Sequence, residues 1–231
     1  MNEPRYVDGE YFRQHPSWHA EDSAWKARHV IRALERNHLA PRTVCEIGCG
    51  AGEVLKQLQQ RMAPSCMFQG YEISPQAYRL CEPRANERLH FKLGDFLQDD
   101  THFDLVLLLD LIEHLEDYLT FLRAVRDRGR YKMIHLPLDL SVQMLFRPAR
   151  LLEIRRLAGH LHYFTEETAL QSLRDTGYEI VDSFRTAVAL EAAPRVLRTH
   201  VANIPRRVLS LFSERLASRF FGGYSLMVLA V

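Results

Sequence analysis

Four acidic residues each stand at the end of an apolar run or directly after it. They are Glu46, Glu72, Asp95 and Asp110. If the apolar runs are parallel strands, their carboxyl ends lie at one edge of a sheet, which is where open α/β sheets bind ligands. Carboxylates at that edge can accept hydrogen bonds from ribose hydroxyls or from an amino group. The spacing therefore predicts a ligand site rich in acidic hydrogen-bond acceptors.

A glycine-rich turn adjoins the first of these acids, in the stretch VCEIGCGAGEVL. Its glycines are Gly48, Gly50 and Gly52, whereas a dinucleotide-binding turn has its third glycine where this chain has Glu53. A carboxylate at a helix N-terminus is unfavourable for a pyrophosphate, and Glu46 adds a second acid. The turn is predicted to suit a cofactor with an amino or sulfonium cation, and a tight turn without a ligand is the alternative.

A second group of polar residues could transfer protons. Glu113 and His114 follow the strand that Asp110 ends, and His160 lies in the later stretch GHLHYF. Because histidine titrates near neutral pH, His114 is the natural general base, with Glu113 and His160 as further catalytic candidates. The alternatives are that Glu113 and His114 only begin a helix, and that His160 or His162 orders its loop.

The same side chains also make an oxygen and nitrogen set that could hold a divalent metal ion. That set is Asp110, Glu113, His114 and His160. The sequence fixes none of their distances, so the metal remains an alternative to a metal-free site. His135, at the end of a later strand, is a further candidate for the same cavity.

The elements that must position these residues alternate between strand-like and helix-like segments. Strands are predicted at 43–47, 66–71, 89–93, 103–109, 130–135, 178–190 and 222–231, and helices at about 20–38, 53–62, 75–81, 115–125 and 165–175. Alternation favours an α/β fold with a doubly wound parallel sheet, and the two terminal strands favour an antiparallel edge. Residues 1–18 are expected to be an irregular arm.

Taken together, these motifs resemble those of class I S-adenosylmethionine-dependent methyltransferases. VCEIGCGAG resembles the first motif of that class, GYEIS its ribose motif, GDF its adenine motif and FDLVLLLDLIEHLED its fourth motif. The resemblance is greatest to the methyltransferase-23 branch, which includes ubiquinone-biosynthesis O-methyltransferases. It implies a Rossmann-like seven-stranded sheet in the order 3-2-1-4-5-7-6, with strand 7 antiparallel.

The same resemblance implies S-adenosylmethionine as cofactor and methyl transfer by in-line displacement to an oxygen or nitrogen nucleophile. It assigns the methionine part to Glu46 and the glycines, the ribose to Glu72, and the adenine to Asp95 and Phe96. The full set expected to bind cofactor is Glu46, Gly48, Cys49, Gly50, Gly52, Glu72, Ile73, Asp95, Phe96, Asp110 and Leu111. The possible metal set is similar to the metal-binding residues of small-RNA 2′-O-methyltransferases, which have Glu where this chain has Asp110.

Composition favours a single folded domain. The chain has 231 residues, 47% of them hydrophobic, and a formal net charge of +1, so a nucleic-acid partner is not expected. The four cysteines form no paired motif and no secretory signal precedes them, so a cytoplasmic protein with reduced thiols is expected. No apolar run is long enough to span a bilayer.

We expect one methyltransferase domain over residues 1–231, as a monomer or homodimer. Its parts are an N-terminal arm and helix (1–40), a cofactor-binding core (41–190), a helical cap (191–221) and a final strand (222–231). In the cap, arginines interleave with apolar residues over 194–220. The favoured interpretation is that the apolar stripe packs on the sheet, and contact with a membrane surface or an anionic acceptor is the alternative.

The expected acceptor is a small or carrier-linked molecule. Three other functions are weighed against that one. They are an NAD-dependent oxidoreductase, which Glu53 disfavours, a non-catalytic module that binds S-adenosylmethionine, and an RNA 2′-O-methyltransferase with a divalent metal.

Overall fold

A computed structural model describes residues 4–187 and 197–231. Its seven strands form one sheet in the order β3-β2-β1-β4-β5-β7-β6. They are β1 (Thr43–Ile47), β2 (Met67–Glu72), β3 (Leu89–Leu93), β4 (Phe103–Leu109), β5 (Gly129–Pro137), β6 (Ile180–Thr186) and β7 (Ser225–Ala230). The first five strands pair with their neighbours in parallel, whereas β7 is antiparallel to both of its neighbours, β5 and β6. The predicted fold, strand order and antiparallel strand are confirmed.

Helices precede the sheet, connect its strands and flank β7. They are α1 (Pro4–Val7), α2 (Glu10–Gln14), α3 (Ser23–Arg36), α4 (Glu53–Gln59), α5 (Pro75–Cys81), α6 (Tyr118–Arg126), α7 (Val142–Leu145), α8 (Pro148–Leu157), α9 (Glu166–Asp175), α10 (Leu197–Phe212) and α11 (Glu214–Phe221). The helices predicted before β7 are present with ends shifted by a few residues. The end of the predicted strand 178–190 lies outside the described residues. No helix in the described part of the chain is long and apolar enough to cross a membrane.

Two expectations about the flanking segments need correction. Residues 1–18 are not wholly irregular, because α1 and α2 form there, and ring contacts such as Tyr6 on Tyr11 hold these short helices in place. The apolar side chains of the cap are not all packed on the sheet. Leu209 packs against the core, whereas Leu211 and Phe212 face solvent.

Helices cover both faces of the sheet and so bury its central strands. On one face, Phe121 and Leu122 of α6 and Leu173 of α9 lie in one core cluster. On the other face, Val30 of α3 and Leu55 of α4 lie in a second cluster. Residues 105–109 of β4 are buried throughout, as a continuous apolar run predicts for a strand covered on both faces. This packing fixes the carboxyl ends of the parallel strands at one edge.

The turn between β1 and α4 is held open by glycines in a left-handed conformation. The φ angles of Gly48, Gly50 and Gly52 are +71°, +55° and +72°, which L residues adopt at a cost. At Gly52 the space is also closed, since a Cβ built there would lie 2.5 Å from Cε1 of Phe91. Gly52 therefore determines how β3 packs on the start of α4.

Gly52→Ala is expected to destabilise the fold by roughly 2–4 kcal/mol, from the left-handed backbone together with the overlap on Phe91. Gly94→Ala is a matched control, because Gly94 also has a positive φ but a Cβ there would meet no atom within 4 Å. Urea unfolding of both variants measures the difference. Equal losses of stability would contradict a role for the Phe91 contact.

Candidate active site

A cavity of about 350 Å³ lies at the carboxyl edge of the sheet. The residues that line it include all but one of those expected to bind cofactor, namely Glu46, Gly48, Cys49, Gly50, Glu72, Ile73, Asp95, Phe96, Asp110 and Leu111. Gly52 is not among the lining residues, and its contact with Phe91 accounts for the glycine there. Phe96 has only one edge on the cavity, because it is 1% exposed and packs against Tyr71.

Glu72 connects the glycine turn to the end of β2. Its Oε2 accepts a hydrogen bond of 2.8 Å from the amide of Gly50, and its Oε1 accepts one of 2.8 Å from the amide of Ser74. Burial raises the pKa of Glu72 to about 7, although amide hydrogen bonds from Ser74, Gly50 and Ile73 partly offset this effect. The carboxyl group therefore titrates near neutral pH and holds the turn in place.

Glu46, the last residue but one of β1, carries an unsatisfied buried oxygen. Its side chain is buried, and within the described part of the chain its Oε2 has no hydrogen-bond partner. Burial raises its pKa to about 8, although the charge of Lys26 acts in the opposite direction. A buried acceptor without a donor is costly unless a ligand supplies one. Glu46 thus fits a cationic group in the cavity, as its position in the sequence predicts.

A chain of polar contacts crosses the floor of the cavity. Lys26 Nζ lies 2.6 Å from Oδ2 of Asp110, whose Oδ1 lies 2.6 Å from Nδ1 of His135. The Nε2 atom of His135 is in turn 2.9 Å from Oγ1 of Thr186. Both oxygens of Asp110 are therefore engaged by side chains of the protein. Burial alone would raise the pKa of Asp110, but the charges of His135 and Lys26 hold it well below its usual range.

Sequence reasoning missed Lys26. A signal was available, because Lys26 falls on the apolar stripe of α3, three residues after the buried Ser23 and four before the buried Val30. A lysine on such a stripe needs an acid within the protein. The backbone of Asp110 supports the same pair, since this residue has a φ of +52° and such strain persists only where surrounding contacts stabilise it.

Glu113, His114 and His160 form a compact cluster above this floor. Each offers one ligand atom, and these three atoms all lie within 4.8 Å of one another. Nδ1 of His114 is 3.1 Å from the carbonyl oxygen of Gly159, and Nδ1 of His160 is 2.6 Å from Oδ2 of Asp139. Because these partners are acceptors, each Nδ1 carries a proton.

Burial determines the protonation of this cluster. It raises the pKa of Glu113 well above its usual range, with the charge of Asp110 adding to the effect. Burial, together with the charge of His160, lowers the pKa of His114 to about 4. Within the described chain, neither carboxyl oxygen of Glu113 finds a donor on another residue. Burial thus favours the uncharged forms of Glu113 and His114.

His162 lies apart from the cavity, although it is only two residues from His160. Its Nε2 lies 2.8 Å from the carbonyl oxygen of Leu115, and it is not a lining residue. His162 therefore orders the loop, which was one of the two alternatives for these histidines.

Aromatic residues of the N-terminal segment cover the cavity. Tyr6 Oη lies 3.0 Å from Nδ1 of His114, and the Tyr11 ring lies 5.0 Å from that of Trp18. Trp18 packs directly on the glycine turn, since a Cβ at Gly50 would lie 2.6 Å from its Cδ1. The segment thus contacts both the turn and the histidine cluster.

A sheet of this order, with an acid-lined cavity at its carboxyl edge, is typical of the class I S-adenosylmethionine-dependent methyltransferases. The model of a methyltransferase-domain family matches residues 18–183. The chain belongs to that family.

Curated relatives and solved structures agree with this assignment. Ajmaline N-methyltransferase from Rauvolfia serpentina is 32% identical over 93 residues, which are 37% of this chain and 31% of that enzyme. The match thus spans about a third of that relative's length. The magnesium protoporphyrin IX methyltransferase of Synechocystis PCC 6803, solved with S-adenosylhomocysteine, superposes with a TM-score of 0.60 at 17% identity, over 90% of this chain and 82% of that one.

A methyltransferase of Haloferax volcanii, solved in complex with the activator Trm112, superposes with a TM-score of 0.63 at 16% identity. This similarity covers 97% of this chain and 94% of that one. At such low identity, the two solved structures establish the shared fold.

Lys26→Met is expected to destabilise the protein by about 2 kcal/mol at pH 7, because it leaves Asp110 charged beside the cavity without its lysine. Because the pKa of Asp110 is lowered, the pair contributes fully above the ordinary aspartate pKa of about 3.9, and this contribution begins to be lost below that pH. Urea unfolding at pH 7 and pH 3.5 measures both effects.

Lys92→Met is the matched control, because Lys92 makes an exposed pair with Asp99 that should contribute little. If both variants lose the same stability, or if the loss for Lys26→Met grows on acidification, the contribution assigned to the buried pair is wrong.

Proposed function

We propose that this chain transfers a methyl group from S-adenosylmethionine to an oxygen or nitrogen nucleophile of a small or carrier-linked acceptor. The observation that carries the proposal is the unpartnered Oε2 of Glu46 in the wall of a cavity at the carboxyl edge of the sheet. A buried carboxyl group in that position suits the ammonium group of the methionine moiety. It is a poor neighbour for the phosphates of a dinucleotide.

Different residues of the chain would bind the methionine, ribose and adenine parts of the cofactor. The backbone of Gly48 and Gly50 would lie against the methionine part. Glu72 would use the lone pairs left over from its two amide hydrogen bonds to accept from the ribose. Asp95 and the edge of Phe96 would hold the adenine. When bound, S-adenosylmethionine supplies a methyl group already activated by its positive sulfur, so the protein has to align the nucleophile and exclude water.

The histidine cluster would handle the acceptor. His160 can take a proton at Nε2, since its Nδ1 proton is directed to the carboxylate of Asp139, which would stabilise the resulting imidazolium. His114, with its pKa lowered to about 4, is a weaker base at neutral pH and would orient the acceptor through hydrogen bonds. His160 would therefore act as the base in place of His114, and Glu113, whose pKa burial raises, would donate a hydrogen bond when it is protonated.

A second candidate mechanism uses a divalent metal ion. Two imidazoles and one carboxyl group converge in the cluster. The Nδ1 atom of each imidazole is hydrogen-bonded to a carbonyl or carboxylate oxygen. That is how proteins orient histidines that ligate metals. Glu113, His114 and His160 fit an ion that prefers nitrogen and oxygen ligands, and the ion would act as a Lewis acid on an acceptor oxygen. Asp110 does not fit this set, because Lys26 and His135 engage its oxygens.

S-adenosylhomocysteine is expected to bind more tightly as pH rises from 6 to 8, by roughly tenfold. Burial raises the pKa of Glu72 to about 7 and that of Glu46 to about 8, so both carboxyls gain the charge that attracts the ligand's donors over this range. Titration calorimetry at several pH values measures the effect. Glu72→Gln should bind more weakly and with a flatter pH profile, and thermal unfolding verifies that the variant is folded.

Absence of binding at every pH would refute the proposed function. Binding without methyl transfer to any phenol, alcohol or amine in a broad panel would instead favour a non-catalytic module.

His160→Gln is expected to lower the methyl-transfer rate by about 10²–10⁴-fold with an acceptor that must lose a proton. His162→Gln is the matched control, because His162 bonds to backbone outside the cavity, and its rate should change little. Formation of S-adenosylhomocysteine gives the rate for each protein. Loss of activity on dialysis against a chelator, with recovery on adding a divalent metal, would select the metal mechanism. A normal rate for His160→Gln would eliminate both mechanisms.

A further inference from the structure

Large apolar side chains on the helices beside β7 are exposed to solvent. Leu145 and Phe146, where α7 ends, are 67% and 84% exposed, and Leu211 and Phe212, where α10 ends, are each 83% exposed. Single exposed apolar residues are ordinary on protein surfaces, but adjacent pairs of such size mark an interaction site when they lie on neighbouring elements.

The elements that carry these pairs adjoin one another. α7 contacts α11, and α11 packs against α10. A Cβ built at Gly222, directly after α11, would lie 2.9 Å from Oγ of Ser141, directly before α7. We call the exposed parts of residues 142–157 and 204–221 the helical surface. Leu152 of α8 and Val208 of α10 add further exposed apolar area to it.

This helical surface is also basic. Residues 142–157 contain four arginines and one acidic residue, and residues 204–221 contain four arginines and one acidic residue. The whole chain has a net charge of only +1, so the remainder of the protein is net acidic. Part of the positive charge is balanced, since Arg150 pairs with Glu153, and Arg215 and Arg219 both pair with Glu167. Arg147, Arg155, Arg156 and Arg207 make no ion pair within the described residues.

The helical surface continues to the mouth of the cavity. Ala158 and His160, directly after α8, line the cavity, and Arg5 of the covering segment donates to the carbonyl oxygen of Leu157. A partner on the helical surface would therefore lie next to the point where an acceptor enters.

We propose that the helical surface docks on an anionic lipid bilayer, so that the cavity opens towards an acceptor carried in that bilayer. Exposed leucine and phenylalanine can enter the acyl boundary while arginines contact anionic headgroups. Charge decides between this occupant and a second copy of the chain. A symmetric dimer would bring the same surfaces together and place two sets of arginines face to face.

The docking itself stands on the surface alone, whereas the lipid-borne acceptor also rests on the proposed function. The two can fail separately, because vesicle binding and S-adenosylhomocysteine binding are independent measurements.

Co-sedimentation of the full chain with large vesicles tests the docking. We expect binding to vesicles of phosphatidylcholine mixed with phosphatidylglycerol, and weaker binding to phosphatidylcholine alone or in high salt, which screens the arginines. The variant L145S/F146S/L211S/F212S should lose at least about tenfold in vesicle affinity. Its affinity for S-adenosylhomocysteine should stay the same, which also shows that it is folded.

M67S/V181S is the matched control, because Met67 and Val181 are exposed apolar residues on β2 and β6, outside the helical surface. It should bind vesicles like the parent protein. The proposal is overturned if the parent binds no anionic vesicles or if the control loses as much affinity as the test variant. It is also overturned if ultracentrifugation shows that the parent and the control are dimers and that L145S/F146S/L211S/F212S is a monomer. The helical surface would then be a self-association face.

Discussion

Among the described residues, the cavity gathers six carboxyl groups around one lysine, and this excess of acid shapes the rest of the site. The carboxyl groups belong to Asp22, Glu46, Glu72, Asp95, Asp110 and Glu113. Lys26 cannot neutralise them all, so it pairs with Asp110, the carboxyl group that also faces His135. Glu46, Glu72 and Glu113 remain buried, and their pKa values rise. A cationic ligand relieves this imbalance, which is why the cavity suits a sulfonium cofactor with an ammonium group.

The backbone of the glycine turn also favours a cationic ligand over a phosphate. The amide of Gly50, which a phosphate-binding turn would direct at its ligand, donates instead to Glu72. The turn is thus closed on the carboxylate of the neighbouring strand, and its left-handed glycines let the chain make this contact. The loop therefore presents its backbone to a ligand, but the Gly50 amide that could donate a hydrogen bond to an anion is already bound to Glu72.

The sheet could be predicted from the sequence because its strands carry local patterns. The run FDLVLLL has the continuous apolar character of a doubly covered strand, and β4 spans those seven residues. Acids that follow such strands must meet at one edge. The sequence could therefore also predict that these ten residues of the expected cofactor set lie together around the cavity. Thr165 and Thr168 form a capping box at the start of α9.

What could not be predicted depends on contacts between distant segments. Lys26 lies far along the chain from Asp110, and nothing near Lys26 in the sequence identifies its partner. The short α1 and α2 depend on tilted and edge-on ring contacts among Tyr6, Tyr11 and Trp18 more than on helix propensity. The separation of His160 from His162 depends on which loop carbonyls lie within reach, such as that of Leu115.

The aromatic side chains of the N-terminal segment connect two parts of the cavity. Trp18 contacts the glycine turn, and Tyr6 contacts His114, so one short segment touches both the proposed cofactor end and the proposed acceptor end of the cavity. A shift of this segment would therefore change both ends of the cavity together.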